Sequence, residues 1–341
     1  MNASFGTQRL AIGILCLAGA CELQNPRGDS DVGTGDGGST EDASERGDGS
    51  GMGTGEGGAD AGAGSACGAR TSTIAWAMWK MPNPPMDDLP NPASYTDLGD
   101  GTVRDNVTCL VWQRDIPQDT YTWAEANDYC ASLPLAGGGW SLPSRIELVS
   151  LVDFSKASPE PAIDTSAFPD TLAEAFWSSS TVIDKESGWY VNFYTGATSS
   201  ELPNLDIRVR CVLSGPARGA TADMPNGLYE IESGEVLDTQ TGLVWQQESS
   251  ASAMSWSEAQ AYCKAPWRVP SMKELQTLVD ETRLYPAIDT SAFPDVSAAS
   301  HDYWSSSQVA GLSSYAWFVR FASGYTIYGD QTEQYRVRCV R

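Results

Sequence analysis

His301 is the chain's single histidine, so it is the only available imidazole base, and a multi-histidine metal centre is excluded by composition. The serine triplets Ser178 to Ser180 and Ser305 to Ser307 offer hydroxyl nucleophiles. The first has no histidine in its half of the chain, however, and His301 has no counterpart there. A satisfied polar side chain near Tyr303 is the simpler role for His301. Lysine, tyrosine or paired-carboxylate chemistry needs a constellation that no spacing here singles out, so no catalytic residue and no required cofactor are expected. Two other residue sets could bind a ligand. Asp164 and Asp170, with Asp289 and Asp295, place oxygen ligands in a loop that could gather a hard cation such as calcium. The competing reading has these carboxylates cap turns or pair with Arg208 and Arg210. Tyr190, Tyr194, Tyr325 and Tyr328 fall on strand faces opposite an apolar stripe, where rings can stack on sugars or merely cover a sheet.

The elements that must position these residues occur twice. Leu110-Val111-Trp112-Gln113 recurs as Leu243-Val244-Trp245-Gln246, and Trp177-Ser178-Ser179-Ser180 recurs at Trp304 to Ser307. The eight residues Ile163 to Asp170 return unchanged as Ile288 to Asp295, and Arg208-Val209-Arg210-Cys211-Val212 returns at Arg336 to Val340. Such an ordered series defines two homologous domains, 95–215 and 229–341. In each, Thr122 or Ser255 followed three residues later by Glu predicts a capped helix, from Trp123 to about Leu133 and from Trp256 to about Lys264. Ser144 with Glu147, and Ser271 with Glu274, predict a second helix. Period-two alternation then predicts strands through Trp189, Val191 and Phe193 and through Trp317, Val319 and Phe321, with turns at Gly196 and Gly324. The closing Arg-Val-Arg-Cys-Val is expected to be a strand with its arginines toward solvent or an acidic partner. Trp112, Trp140, Trp177, Trp245, Trp267 and Trp304 occupy duplicated positions and read as core. Helices before strands within each unit indicate an α+β class.

Ahead of the domains, Arg9, an apolar run from Leu10 to Ala20 and Cys21 read as a signal peptide over 1–20, too short to span a bilayer. Cys21 follows small residues as in a bacterial lipobox, and lipidation of its sulfur is weighed above plain secretion. Residues 21–94 form a linker whose Gly-rich acidic part should stay disordered, followed by a stiffer spacer of five prolines from Pro82 to Pro92. An extracytoplasmic location lets disulfides persist. With Cys16 lost and Cys21 lipidated, six of the eight cysteines remain. The duplicated positions imply Cys130–Cys211 and Cys263–Cys339, leaving Cys67–Cys109 as a third pair. The chain carries 21 Lys+Arg against 44 Asp+Glu, a net charge of −23, which sets it against nucleic acid, anionic lipid headgroups and sulfated polymers.

With these residues laid out, each repeat resembles the Lcl C-terminal domain family of bacterial extracytoplasmic domains. The likeness rests on Gly101-Thr102-Val103 with Asp105, on Trp140-Ser141-Leu142-Pro143-Ser144 with Glu147-Leu148, and on Phe176 to Ser180 with Arg208 to Cys211. Asp238, Trp245-Gln246, Trp267 to Ser271, Tyr303-Trp304-Ser305 and Arg336 to Cys339 carry it in the second repeat. The resemblance implies two tandem, disulfide-stabilised C-type-lectin-like domains after a disordered N-terminal tract. It also implies noncatalytic adhesion or recognition of an extracellular glycan or surface protein, with the membrane reached through the lipid. Neither domain holds the Glu-Pro-Asn or Gln-Pro-Asp tripeptide of calcium-dependent sugar binding. The alternative function is a structural envelope protein acting through subunit packing, for instance as a homo-oligomer; an enzyme ranks third.

Overall fold

The computed structural model describes residues 76–156, 159–183, 186–213, 227–297 and 302–341; Cys21, Cys67, His301 and the tract before residue 76 lie outside the described residues. The first repeat runs β1 (Tyr95–Asp97), β2 (Thr102–Asp105), β3 (Val111–Gln113), α1 (Trp123–Ser132), α2 (Arg145–Leu151), β4 (Ala175–Thr181), β5 (Gly188–Asn192), β6 (Thr198–Glu201) and β7 (Val212–Leu213). The second runs β8 (Tyr229–Glu232), β9 (Glu235–Asp238), β10 (Val244–Gln246), α3 (Trp256–Tyr262), α4 (Met272–Gln276), β11 (Asp302–Val309), β12 (Leu312–Arg320) and β13 (Tyr325–Asp330). Each repeat builds one sheet from its early strands, β1-β2-β3 joined by the closing β7 in the first repeat and β10-β9-β8 in the second, and another from its later strands, β4-β5-β6 or β11-β12-β13. The helices start at the capping boxes: Glu147 accepts from the Ser144 amide at 2.7 Å, and Glu274 from the Ser271 amide at 2.9 Å. Cys130–Cys211 and Cys263–Cys339 tie the end of the first helix to the closing segment, with Cα separations of 5.5 and 5.7 Å. Cys109 is also disulfide-bonded.

The closing segment is less regular than its alternation suggests. Only Val212–Leu213 is a strand, because Arg208 to Cys211 crosses from one sheet to the other. Trp177 N donates to Arg208 O at 2.9 Å on one side, and Gln113 N donates to Cys211 O at 3.0 Å on the other. Val209 and Cys211 point inward, but Arg210 and Arg338 are fully buried, against the expectation that they face outward. The reason lies in the identical eight-residue loops. Phe168 stacks under the Arg210 guanidinium at 4.7 Å, and Phe293 under that of Arg338 at 4.6 Å, while Gln113 O and Arg114 O accept from Arg210 at 2.5 and 2.8 Å. Burial pulls Arg210 down to about 9, against the attraction of Asp115 and Asp170, so it stays charged at neutral pH.

The proline stretch also differs from the expected spacer. Asn83 N donates to Asn91 O at 2.9 Å and Ala93 N to Asn83 O at 2.8 Å, closing residues 83–93 into a loop. Upstream, Trp76 is buried against Leu228 and Tyr229 of the second repeat, and Trp79 and Met81 join the main core. Burying three large apolar side chains offsets the entropy of ordering this strap, as a solvated polyproline rod could not.

The repeats pack on each other as an internal pseudo-dimer, and one hydrophobic core runs through both. Thr198 and Thr326, each two residues beyond its hairpin glycine, meet with hydroxyl oxygens 3.1 Å apart. Contact between equivalent residues places them on a local two-fold axis. Gly196 and Gly324 have φ of +89° and +78°; a Cβ there would stand 3.0 Å from Phe154 and Val152, or 2.7 Å from Val279, so only glycine both turns the hairpin and admits the neighbour. Lys273 of α4 is buried and donates to Ser150 O of the first repeat at 2.8 Å. Burial pulls its ammonium from 10.5 down to about 8, opposed by Asp153, Asp105 and Asp87. Between those values the unfolded chain keeps a proton that the folded chain has released, so stability rises with pH. Above pH 10 the buried Tyr95 and Tyr229 hydroxyls, held protonated by burial, oppose that rise. Unfolding free energy is therefore expected to climb from about pH 8 to pH 10. Lys273→Met should flatten the lower part of that climb, from about pH 8 to 9, in denaturant titrations, while Arg210 keeps contributing above about pH 9; an unchanged slope below pH 9 would assign it to another group.

Candidate functional site

The serine triplets are structural splices. Ser178 Oγ donates to Trp189 O at 2.8 Å while Ser178 O accepts from Trp123 Nε1 at 2.8 Å. Ser305 does the same with Trp317 O and Trp256 Nε1, both at 2.8 Å. Ser180 and Ser307 then accept from the first amides of α2 and α4, Arg145 N and Met272 N, both at 3.0 Å. Each triplet thus pins both helices to the late sheet.

The repeated aspartates are engaged locally. Asp164 accepts from Ser166 N at 2.9 Å and Asp289 from Ser291 N at 2.9 Å. Asp295 pairs with Arg338 at 2.6 Å and accepts from Ser249 N at 2.8 Å. Burial raises the Asp295 carboxyl, but the Arg338 charge and the Ser249 hydrogen bonds outweigh it, leaving the pKa below the usual range. Asp170 is exposed. Arg208 pairs with Glu174 at 2.7 Å rather than with the loop. Among the described residues no three His, Cys, Asp or Glu side chains converge as metal ligands.

The four tyrosines are scattered. Tyr194 is half exposed, and Tyr190 packs on the cluster around Trp177 and the Cys130–Cys211 bridge. Tyr325 lies between the repeats, its ring 4.8 Å from Trp189 and its hydroxyl 2.7 Å from Ser200 Oγ. Tyr328 makes edge contacts with Trp317 at 5.3 Å and Tyr315 at 6.0 Å. Among the described residues no ring contact joins any two of the four.

A groove of about 810 Å³ opens instead on the second repeat. Trp256 and Gln260 of α3, Trp267 and Arg268 of the following loop, and Ser306 to Gly311 around the β11–β12 hairpin line it. Asp87 and Leu89 of the strap and Phe154 and Ser155 of the first repeat complete the lining. Trp256 is oriented by its bond to Ser305 O, and Trp267 is held by the Arg341 guanidinium over its ring at 5.0 Å. Gln260 Nε2 is buried and has no hydrogen-bond partner among the described residues, so it offers no open donor to the groove. Two fixed indoles beside amide and hydroxyl groups suit a ligand with apolar faces and a polar edge.

Trp267 corrects the expectation that all six duplicated tryptophans are core. Trp140 is 4% exposed, whereas Trp267 is only partly buried. Cys130 and Trp140 are ten residues apart, but Cys263 and Trp267 only four. The extra residues of the first repeat supply Leu133 and Leu135 to the cluster that holds Trp140, and Leu135 O accepts from Trp140 Nε1 at 2.7 Å. The second repeat lacks that cover. The shortened spacing was the signal in the sequence that could have marked this residue.

The model of the Lcl C-terminal domain family matches residues 101–213 and again 234–341. No curated protein matches the chain.

Proposed function

Because the chain belongs to the Lcl C-terminal domain family, a non-catalytic extracytoplasmic domain of lectin-like character, we propose that it binds carbohydrate in the groove of its second repeat. The observation that carries this reading is the pair of oriented indoles, Trp256 and Trp267, lining one groove with the hydroxyls of Ser306 and Ser307. Aromatic faces pack on the C–H faces of a sugar ring while amides and hydroxyls match its hydroxyl edge. Attachment through a lipid on Cys21 would hold the groove at the cell surface; among the described residues no helix is long and apolar enough to cross a membrane.

Glycan-array binding and calorimetry test the reading. Trp267→Ala is expected to weaken carbohydrate binding at least about tenfold, or about 1.4 kcal/mol, without changing the fold, since the residue is not part of the core. Excess EDTA is expected to leave affinity unchanged, because Asp164, Asp289 and Asp295 already accept internal hydrogen bonds. Loss on chelation with recovery in calcium would restore the cation reading. Inert arrays together with a discrete homo-oligomer in solution would favour the structural envelope role.

A further inference from the structure

Resting on that carbohydrate reading, we infer that the strap is a working wall of the groove, and that the completed site takes uncharged glycans and rejects polyanionic ones. The strap loop is latched at its base. Asn83 is fully buried; Ser271 Oγ donates to its Oδ1 at 2.6 Å, and its Nδ2 donates to Pro90 O at 2.8 Å and to Glu274 Oε1 at 3.4 Å. Ser271 and Glu274 form the capping box of α4, so the latch ties the strap to a fixed helix terminus. From that base the loop carries Asp87 and Leu89 to the groove.

The charges of the lining decide which glycan fits. Arg268 is its only cation, and Glu274 holds it fork to fork, with Nη1 to Oε2 at 2.6 Å and Nη2 to Oε1 at 2.7 Å. That leaves little positive field for a sulfate or carboxylate. Asp87 makes no ion pair within 4 Å among the described residues, although the buried Lys273 ammonium attracts it, and it lines the groove in a protein of net charge −23. With Arg268 neutralised by Glu274, Asp87 is the charge the lining has left, and in a strongly acidic protein that balance disfavours like-charged ligands. An anionic polymer would have to approach against that balance, whereas an uncharged one meets only indoles, amides and hydroxyls. Asn83 acts through the loop it holds and is a positioning residue.

The test uses the full chain and a panel of neutral glucans, mannans and galactans, each beside its sulfated derivative. Wild-type protein is expected to bind a neutral member, and its sulfated form at least about tenfold more weakly at low salt, with the gap narrowing as salt screens the groove. Asp87→Lys should close most of that gap, raising binding of the sulfated form relative to the neutral one by about fivefold or more. Leu89→Ala, at the loop tip, and Asn83→Ala, at the latch, should each weaken neutral binding about fivefold or more. Leu89→Ala keeps the test decisive if Asn83→Ala also loosens the strap, which near-ultraviolet dichroism of Trp76 and Trp79 would report. If Trp267→Ala abolishes binding but the Asp87 and Leu89 variants bind and discriminate like wild type, the strap is no wall and this inference fails while the carbohydrate reading stands. A wild-type preference for the sulfated forms, or for a cationic peptide over every glycan, overturns the assigned ligand class. Binding indifferent to Trp267→Ala removes the groove itself.

Discussion

Glu281→Ala is expected to lower the unfolding free energy by about 3 to 5 kcal/mol, since it leaves the Arg145 guanidinium buried between the repeats without its counter-charge. Arg145 is fully buried, its Nε stands 2.6 Å from Glu281 Oε1, and its Nη1 donates to Gln276 Oε1 at 3.1 Å. The local two-fold supplies the control. Arg145 corresponds to Met272, and Glu281 to Phe154, so the same position on the other side of the axis is occupied by two apolar residues of the shared core. Arg145→Met with Glu281→Phe should therefore recover most of the loss, because replacing a buried ion pair by apolar groups of similar volume is often neutral or better. Urea unfolding of the two variants decides between them. Equal destabilisation of single and double variants would mean that shape, not uncompensated charge, sets the cost.

Cys263→Ala combined with Cys339→Ala is expected to cost about 4 to 5 kcal/mol, from the chain entropy released when a 76-residue loop is no longer closed in the unfolded state. The paired substitution avoids leaving a free thiol next to Ala259 and Val337, which belong to the same apolar cluster. The loss should appear as a lower denaturant midpoint for the chain with Cys130–Cys211 intact. Because one core spans both repeats, a single shifted transition is expected rather than separate unfolding of the second half. Two resolved transitions would show that the repeats are energetically independent and that the pseudo-dimer contact contributes little.

The exchange at Trp140 and Trp267 shows how far repeat arithmetic carries. Their motifs match, so pattern alone assigns both to the core. The side chain's environment, however, depends on six residues present in one copy and absent from the other. The aromatic strand tyrosines mislead for a related reason. Period-two alternation separates one face of a strand from the other, but it cannot tell whether the outward face meets water or a second sheet. Tyr325 meets the first repeat, and the alternation of β13 carries no trace of that contact.

By itself the sequence determined the duplication, the helix starts and the two disulfides at duplicated positions. Capping boxes act within four residues, hairpin glycines within two, and cysteines at matching places in two copies leave few ways to pair. Only the tertiary structure decided that Arg210 and Arg338 turn inward, that the proline stretch folds back as a strap, and that the two units share one core with a groove beside it. Each of those outcomes balances burial of apolar surface against ordering entropy and charge desolvation over contacts distant in the chain, and no local window contains both sides of that balance.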